Sequence, residues 1–245
     1  MREKTLLFCI PYAGGSASSL AGITNLLDQN ELEIHFMELP ARGRRLKEPF
    51  PKSLDIVIED ISNKIIEILT NKNQRFIIWG HSMGAILALF ISYKLKNENY
   101  SLIGLIVSGM KAPTSPIKST EKSMSREQRN QLLLSMLPIK HERNRYNSTF
   151  LKIQERRTQI MDMDIQLVEK FAFNNWDEIS IEAPIAIIVA NKDEIYPDKD
   201  CYQQWKLHTK IDADFYAIDG GHFFMFQDPV KTSKLLNKVL TNLLT

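Results

Sequence analysis

The sequence predicts an α/β protein, a doubly wound and mostly parallel sheet with helices on both faces. Two observations predict it. Six short apolar runs alternate with longer stretches of helical period, the pattern of repeated β–α units. Several of those runs are continuous Ile, Val, Leu and Phe rather than apolar–polar alternations, which suits parallel strands covered on both faces.

In chain order the strands are expected at Leu6–Ile10, Glu33–Leu39, Arg75–Trp79, Leu102–Ser108, Ile185–Ala190 and Asp214–Ile218. Helices are expected at Ala17–Leu27, Ser53–Thr70, Met83–Lys96 and from about Pro229 to the end. Ser53 is placed as an N-cap, with Ile58, Ile61, Ile65, Ile66 and Leu69 following at helical spacing. The alternation breaks between Pro113 and Glu182, a stretch without strand signal but with helical patterns over Ser125–Met136 and Thr158–Phe173. Ser125 and Gln128 there make a capping-box pattern. A helical insertion there is either structural padding or a lid over the strand ends; long insertions inside a compact domain are often functional, so about residues 113–182 are read as a helical lid within a single domain spanning residues 1–245.

Composition bounds the function classes. The chain has 245 residues, 31 basic and 29 acidic side chains and a formal net charge of +2. That balance lacks the concentrated basic excess of a nucleic-acid binder. Forty-four per cent apolar and 24 per cent charged residues are those of an ordinary globular protein. Two cysteines, Cys9 and Cys201, can build neither a disulfide framework nor a paired metal site, and Cys9 reads as a small buried hydrophobe. The first apolar run stops at Pro11, too short for a signal peptide, and no apolar stretch reaches the ~18 residues of a membrane span. The expected compartment is the cytoplasm, with no nucleic-acid or membrane partner.

The chemistry concentrates in Gly80-His81-Ser82-Met83-Gly84, between the apolar run Phe76–Trp79 and a helix of Ala, Ile, Leu and Phe. Gly-x-Ser-x-Gly between strand and helix is the context of a nucleophile elbow. A serine hydroxyl needs a base to take its proton, and the base needs an orienting carboxylate. In the order that accompanies such an elbow, acid and then histidine follow the serine. Of His141, His208 and His222, only His222 sits in a glycine-rich loop directly after a strand, where open α/β sheets place their sites. His208 reads as part of a surface helix, His141 as an exposed residue of the insertion, and His81 as a residue that shapes the elbow. For the acid, Asp193 follows the strand Ile185–Ala190; Glu194, Asp198, Asp200 and Asp219 compete with it. The oxyanion donors are placed on the backbone N–H of Met83 and on that of Tyr12 or Ala13, with Ala13 preferred, in the loop Pro11–Ser16. No phosphate-loop lysine supports a nucleotide site there. The basic run Arg42–Lys47 defaults to a solvated loop.

At these residues the sequence resembles the type II thioesterases that accompany nonribosomal peptide and polyketide synthetases. The matching pieces are Pro11-Tyr12-Ala13-Gly14-Gly15, Leu39-Pro40-Ala41-Arg42-Gly43-Arg44-Arg45, the elbow, Asn191-Lys192-Asp193 and Gly220-Gly221-His222-Phe223-Phe224. They span nearly the whole chain, with Ala41 standing where the family usually has glycine. The resemblance implies an α/β-hydrolase fold with a helical lid. It implies editing hydrolysis of misloaded acyl or aminoacyl groups from the phosphopantetheine arm of a carrier protein, which would dock near the lid. The expected site is Ser82, His222 and Asp193 as catalytic residues, with Met83 and Ala13 as oxyanion donors. The protein is expected to have no metal and no cofactor of its own, and to act as a monomer on acyl or peptidyl carrier protein domains. Arg42, Arg44, Arg45 and Lys47, or basic residues of the lid, are candidates for contacting the carrier. The competing readings are a small-molecule serine esterase or lipase, a product-cyclising release thioesterase and a non-catalytic carrier-binding subunit.

Overall fold

A computed structural model describes residues 3–115, 127–128, 131, 135, 148–171 and 178–245. Its strands are β1 (Thr5–Ile10), β2 (Leu32–Phe36), β3 (Phe76–His81), β4 (Leu102–Ser108), β5 (Ile185–Ala190) and β6 (Ala213–Ile218). They form one sheet in the order β2-β1-β3-β4-β5-β6. Every pairing in it is parallel, so the sheet is more uniform than the mostly parallel one expected. The helices are α1 (Ala21–Thr24), α2 (Leu54–Ile68), α3 (Met83–Asn97), α4 (Ser148–Lys170), α5 (Phe224–Gln227) and α6 (Pro229–Leu244).

The strand order reverses at β1 and β3, and parallel crossovers are right-handed, so the reversal sends helices to opposite faces. On one face α2 packs on α3, and α3 on β1, β3 and β4; on the other α1 packs on α6, which lies against β4 and β6. β1 and β3 are buried along their whole length between these layers. This burial explains their unbroken apolar sequences. α3 is buried nearly all round, from Met83 through Ser92. The reversal point is also where open α/β sheets leave a crevice at the strands' carboxyl ends. No helix among the described residues is long and apolar enough to cross a membrane.

Boundaries differ from expectation where polar or proline residues interrupt the ladder. β2 stops at Phe36 rather than Leu39, because its partner β1 runs into Pro11, which has no N–H to donate; Met37 N makes the last bond, to Cys9 O. The continuous helix expected at Ala17–Leu27 is a 3-10 turn, Ala17–Leu20, followed by the single turn α1. Local serines compete for the backbone there: Ser16 N–H bonds Ser19 Oγ at 2.9 Å. Ser53 caps α2 as expected, accepting from Ile56 N. α4 starts ten residues before the pattern that announced it. Ser125, most of the helix expected at Ser125–Met136, and His141 lie outside the described residues.

The basic run is not simply solvated. Arg42 is buried and bidentate with buried Asp164 of α4, Nη1–Oδ2 at 2.5 Å and Nη2–Oδ1 at 2.7 Å. It also reaches Pro40 O and Gly15 O, while Asp164 Oδ2 accepts the Gly14 N–H at 2.7 Å. One ion pair thus ties α4, the β1 loop and the β2 loop together. Arg45 is engaged by Glu48 and Asp60, and only Arg44 and Lys47 of the four are exposed. Arg42 is therefore corrected from a candidate carrier contact to an internal brace.

Removing one partner of a buried pair strands the other charge. Arg42→Ala is expected to destabilise the protein by about 3–5 kcal/mol, and Arg42→Met combined with Asp164→Leu to recover part of that loss. Denaturant unfolding of both variants checks this.

Candidate active site

The site begins with one strained residue. β3 ends at His81 and α3 starts at Met83, so Ser82 alone makes the turn, at φ 55° and ψ −124°. A non-glycine residue is held there only when its surroundings over-determine it. Two glycines allow the close approach: a Cβ on Gly80 would lie 2.1 Å from Gly84 O, and one on Gly84 2.4 Å from Ile10 O. β4 supplies the clamp, with Ser82 N–H donating to Ser108 O at 2.8 Å. The Ser108 hydroxyl lies 3.2 Å from Trp79 Nε1 and 2.9 Å from His81 Nδ1. It also donates to Gly80 O. Burial, reinforced by nearby His222, holds the His81 imidazole well below the usual histidine range, so this ring stays neutral and shapes the elbow.

His222 stands in the loop between β6 and α5, and its Nε2 lies 3.2 Å from Ser82 Oγ. Its Nδ1 lies 3.0 Å from Asp193 Oδ2 and 3.2 Å from Oδ1. All three side chains are at most 9% exposed. Asp193 follows β5, and its Oδ1 accepts the N–H groups of Ile195 and Tyr196 at 2.8 and 3.0 Å. Its Oδ2 accepts the Tyr202 hydroxyl at 3.3 Å. Burial alone would raise the Asp193 carboxyl, but the hydrogen bond and charge of His222, with the two backbone donors, hold it at about 2. An ionised carboxylate on Nδ1 requires the proton on that nitrogen and leaves Nε2 free to accept from Ser82.

The competing acids have other positions. Glu194 accepts the His222 backbone N–H at 3.1 Å, bracing the loop rather than the ring. Asp219 pairs with exposed Lys192, and Asp198 caps the 3-10 helix Lys199–His208 by accepting Asp200 N. His208 is corrected from a surface position: it is fully buried, with Nδ1 on Ile179 O at 2.7 Å and Nε2 3.3 Å from Thr114 Oγ1. Tyr202 and Trp205, buried on the same 3-10 helix, carry it inward.

The sequence places the oxyanion donors on the backbone N–H groups of Met83 and Ala13. Met83 opens α3, so its N–H has no intrahelical acceptor. In the β1 loop, Gly15 N–H closes on Tyr12 O and Gly14 N–H on Asp164. Among the described residues the Ala13 and Met83 N–H groups meet no protein acceptor. The Tyr12 ring packs 4.7 Å from that of Phe223 and 6.2 Å from His81, which seats the loop over the elbow. Sequence reasoning missed Ser108, Tyr202 and Asp164, each an unremarked polar residue in an apolar or helical stretch. Among the described residues no group of three or more His, Cys, Asp or Glu gathers as a metal site.

An elbow serine in hydrogen-bonded line with histidine and aspartate, on a parallel α/β sheet, defines a hydrolase of the α/β-hydrolase fold. Residues 5–241 match the family model of the thioesterase domain, and the chain belongs to the thioesterase family, hydrolases acting on thioesters. The medium-chain S-acyl fatty acid synthase thioesterase of Rattus norvegicus is 25% identical over 229 residues, covering 90% of this chain and 81% of that one. The gramicidin S biosynthesis protein GrsT of Aneurinibacillus migulanus is 25% identical over 238 residues, covering 97% and 89%. Among solved structures, ClbQ from the colibactin nonribosomal peptide/polyketide pathway superposes with a TM-score of 0.80 at 19% identity, covering 98% of each chain.

Because the Asp193 carboxyl sits below its ordinary value of 3.8 in the folded protein, its stabilising contribution is complete above about pH 4 and fades as pH falls towards 2. Wild type is expected to lose stability more steeply across that window than Asp193→Asn, measured by urea unfolding at stepped pH.

Proposed function

We propose that the protein is an editing thioesterase that removes misloaded acyl or aminoacyl groups from the phosphopantetheine arm of carrier proteins. The observation that carries the reading is the unbroken line Asp193–His222–Ser82 at an elbow in a chain of the thioesterase family. Support for carrier-bound substrates comes from relatives and neighbours named for peptide and polyketide biosynthesis.

In this mechanism Ser82 Oγ attacks the thioester carbonyl while its proton passes to His222 Nε2. The Met83 and Ala13 N–H groups hold the resulting oxyanion, and Asp193 stabilises the imidazolium. Collapse breaks the C–S bond; the thiol leaves with the proton from His222, and Ser82 carries the acyl group as an ester. Water then gives its proton to His222 and its oxygen to the acyl carbon. The second collapse returns that proton to Ser82 and releases a carboxylic acid. Thioesters suit this route because their carbonyl is weakly resonance-stabilised and thiolate leaves easily. α4, clasped to the β1 loop, serves as part of a lid in this reading.

Intact-protein mass spectrometry of carrier proteins loaded with acetyl, aminoacyl and longer acyl groups tests it. Wild type is expected to return at least one loaded carrier to the free thiol form, and Ser82→Ala to return none. Asp193→Asn is expected to lose about 10⁴-fold in turnover, the size of loss seen when an amide holds a triad histidine in the wrong tautomer. Faster hydrolysis of a simple ester than of any loaded carrier would favour the esterase reading instead.

A further inference from the structure

Asp193 meets a fourth donor that its contact with histidine does not require. Its Oδ1 accepts the Ile195 and Tyr196 N–H groups, and its Oδ2 faces His222 Nδ1 at 3.0 Å. The Tyr202 hydroxyl, 3.3 Å from the same Oδ2, fills the last of the roughly four lone-pair sites of an ionised carboxylate. Tyr202 is fully buried. Burial, together with the Asp193 charge, holds its phenol well above the usual tyrosine range, so the hydroxyl keeps its proton and donates.

The donor is also fixed from behind. Tyr202 lies on the 3-10 helix Lys199–His208, and this helix is bonded to both ends of the insertion. After β4, Met110 O accepts Trp205 Nε1 at 2.9 Å, while Cys201 O accepts the Ala112 N–H and the Ser115 hydroxyl. Before β5, His208 Nδ1 lies 2.7 Å from Ile179 O, and the Ile181 N–H donates to His208 O. The phenol is thus anchored independently of the triad, and a donor locked in this way orients its acceptor.

We propose that Tyr202 is a positioning residue for the reaction: its hydroxyl fixes the Asp193 carboxylate and draws on its charge, which lowers the basicity of His222. This rests on the mechanism proposed above. The physical ground is competition at one atom. Two donors share Oδ2, so negative charge drawn towards the phenol holds the imidazolium less tightly. Without the hydroxyl, His222 would keep its proton to higher pH. Other titratable groups face the pair among the described residues. The His81 and Tyr196 rings lie 5.2 and 6.3 Å from that of His222. Glu194 accepts the His222 backbone N–H, and the buried Cys201 thiol adjoins Tyr202. All four are common to the proteins compared below, so a difference between those proteins belongs to the Tyr202 hydroxyl.

Two variants test this in opposite directions. Tyr202→Phe removes the hydroxyl and keeps the ring, whereas Tyr202→3-fluorotyrosine keeps the hydroxyl and makes it a stronger donor. His222 is titrated by NMR in protein labelled with ¹⁵N-histidine, its signal assigned through His222→Gln. The acid limb of kcat/KM, which reports the free enzyme's base, is followed with acetyl-pantetheine. In Tyr202→Phe both are expected to move up by about 0.5 in pH, roughly threefold in the proton equilibrium. Its kcat is expected to fall about tenfold with KM kept, as for an aligned group that loses its alignment. In the 3-fluorotyrosine protein the titration and the limb move down. A Tyr202→Phe protein that does not fold, judged by its melting curve, leaves the decision to the fluorotyrosine protein. A His222 titration unmoved by the fluorine, or not raised in a folded Tyr202→Phe protein, would overturn the assignment. Failure of wild type to hydrolyse any thioester would instead overturn the mechanism at Ser82, and the NMR titration would still decide the role of Tyr202.

Discussion

The site depends on one steric constraint, the closeness of β3 to α3 at a turn of a single residue. That closeness leaves no room for a side chain at Gly80 or Gly84 and drives Ser82 into a backbone conformation that an L-residue rarely adopts. Strain of this kind persists only if its surroundings hold it. Here the Ser82 N–H is bonded to β4 through Ser108 O, and the Ser108 hydroxyl gathers Trp79 and His81. The result is a serine hydroxyl held at the carboxyl end of the interior strand β3, with the first N–H of α3 following it in the chain. Everything else in the site is arranged around that point.

Electrostatics completes what the turn begins. Asp193 and His222 are both almost fully buried, where separated charges would be costly. The carboxylate is kept ionised by two backbone N–H groups, the Tyr202 hydroxyl and the imidazole. His81, whose ring centroid lies 5.2 Å from that of His222, is held neutral by its own burial. A proton arriving on His222 therefore meets one anion and no competing cation. The Arg42–Asp164 pair anchors the β1 loop through Gly14.

Much of this was legible in the sequence, for physical reasons that differ by residue. β4 and β5 begin and end where the sequence places them, because strands covered on both faces are apolar almost throughout and have no polar side to blur the pattern. Gly80-x-Ser82-x-Gly84 was readable because sterics leave glycine no substitute at the elbow. His222 and Asp193 were readable because each directly follows a strand on the side where sheets of this type place their sites. Burial that depends on distant partners was not readable. Arg42 looked like part of a solvated basic run, since its partner Asp164 lies 122 residues later. His208 looked exposed because Lys206 and Leu207 beside it are, although the 3-10 helix turns it inward with Tyr202 and Trp205. Ser108 gave no signal at all, being one polar residue at the end of an apolar strand.

The most direct test of the account is the site at which a serine-directed fluorophosphonate attaches, mapped by peptide mass spectrometry. The reagent mimics the tetrahedral stage of acyl transfer and needs the activated hydroxyl and the oxyanion donors together. A single adduct on Ser82 in wild type, lost in His222→Ala, is the predicted result. An adduct on another serine, or undiminished labelling of Ser82 without His222, would contradict it.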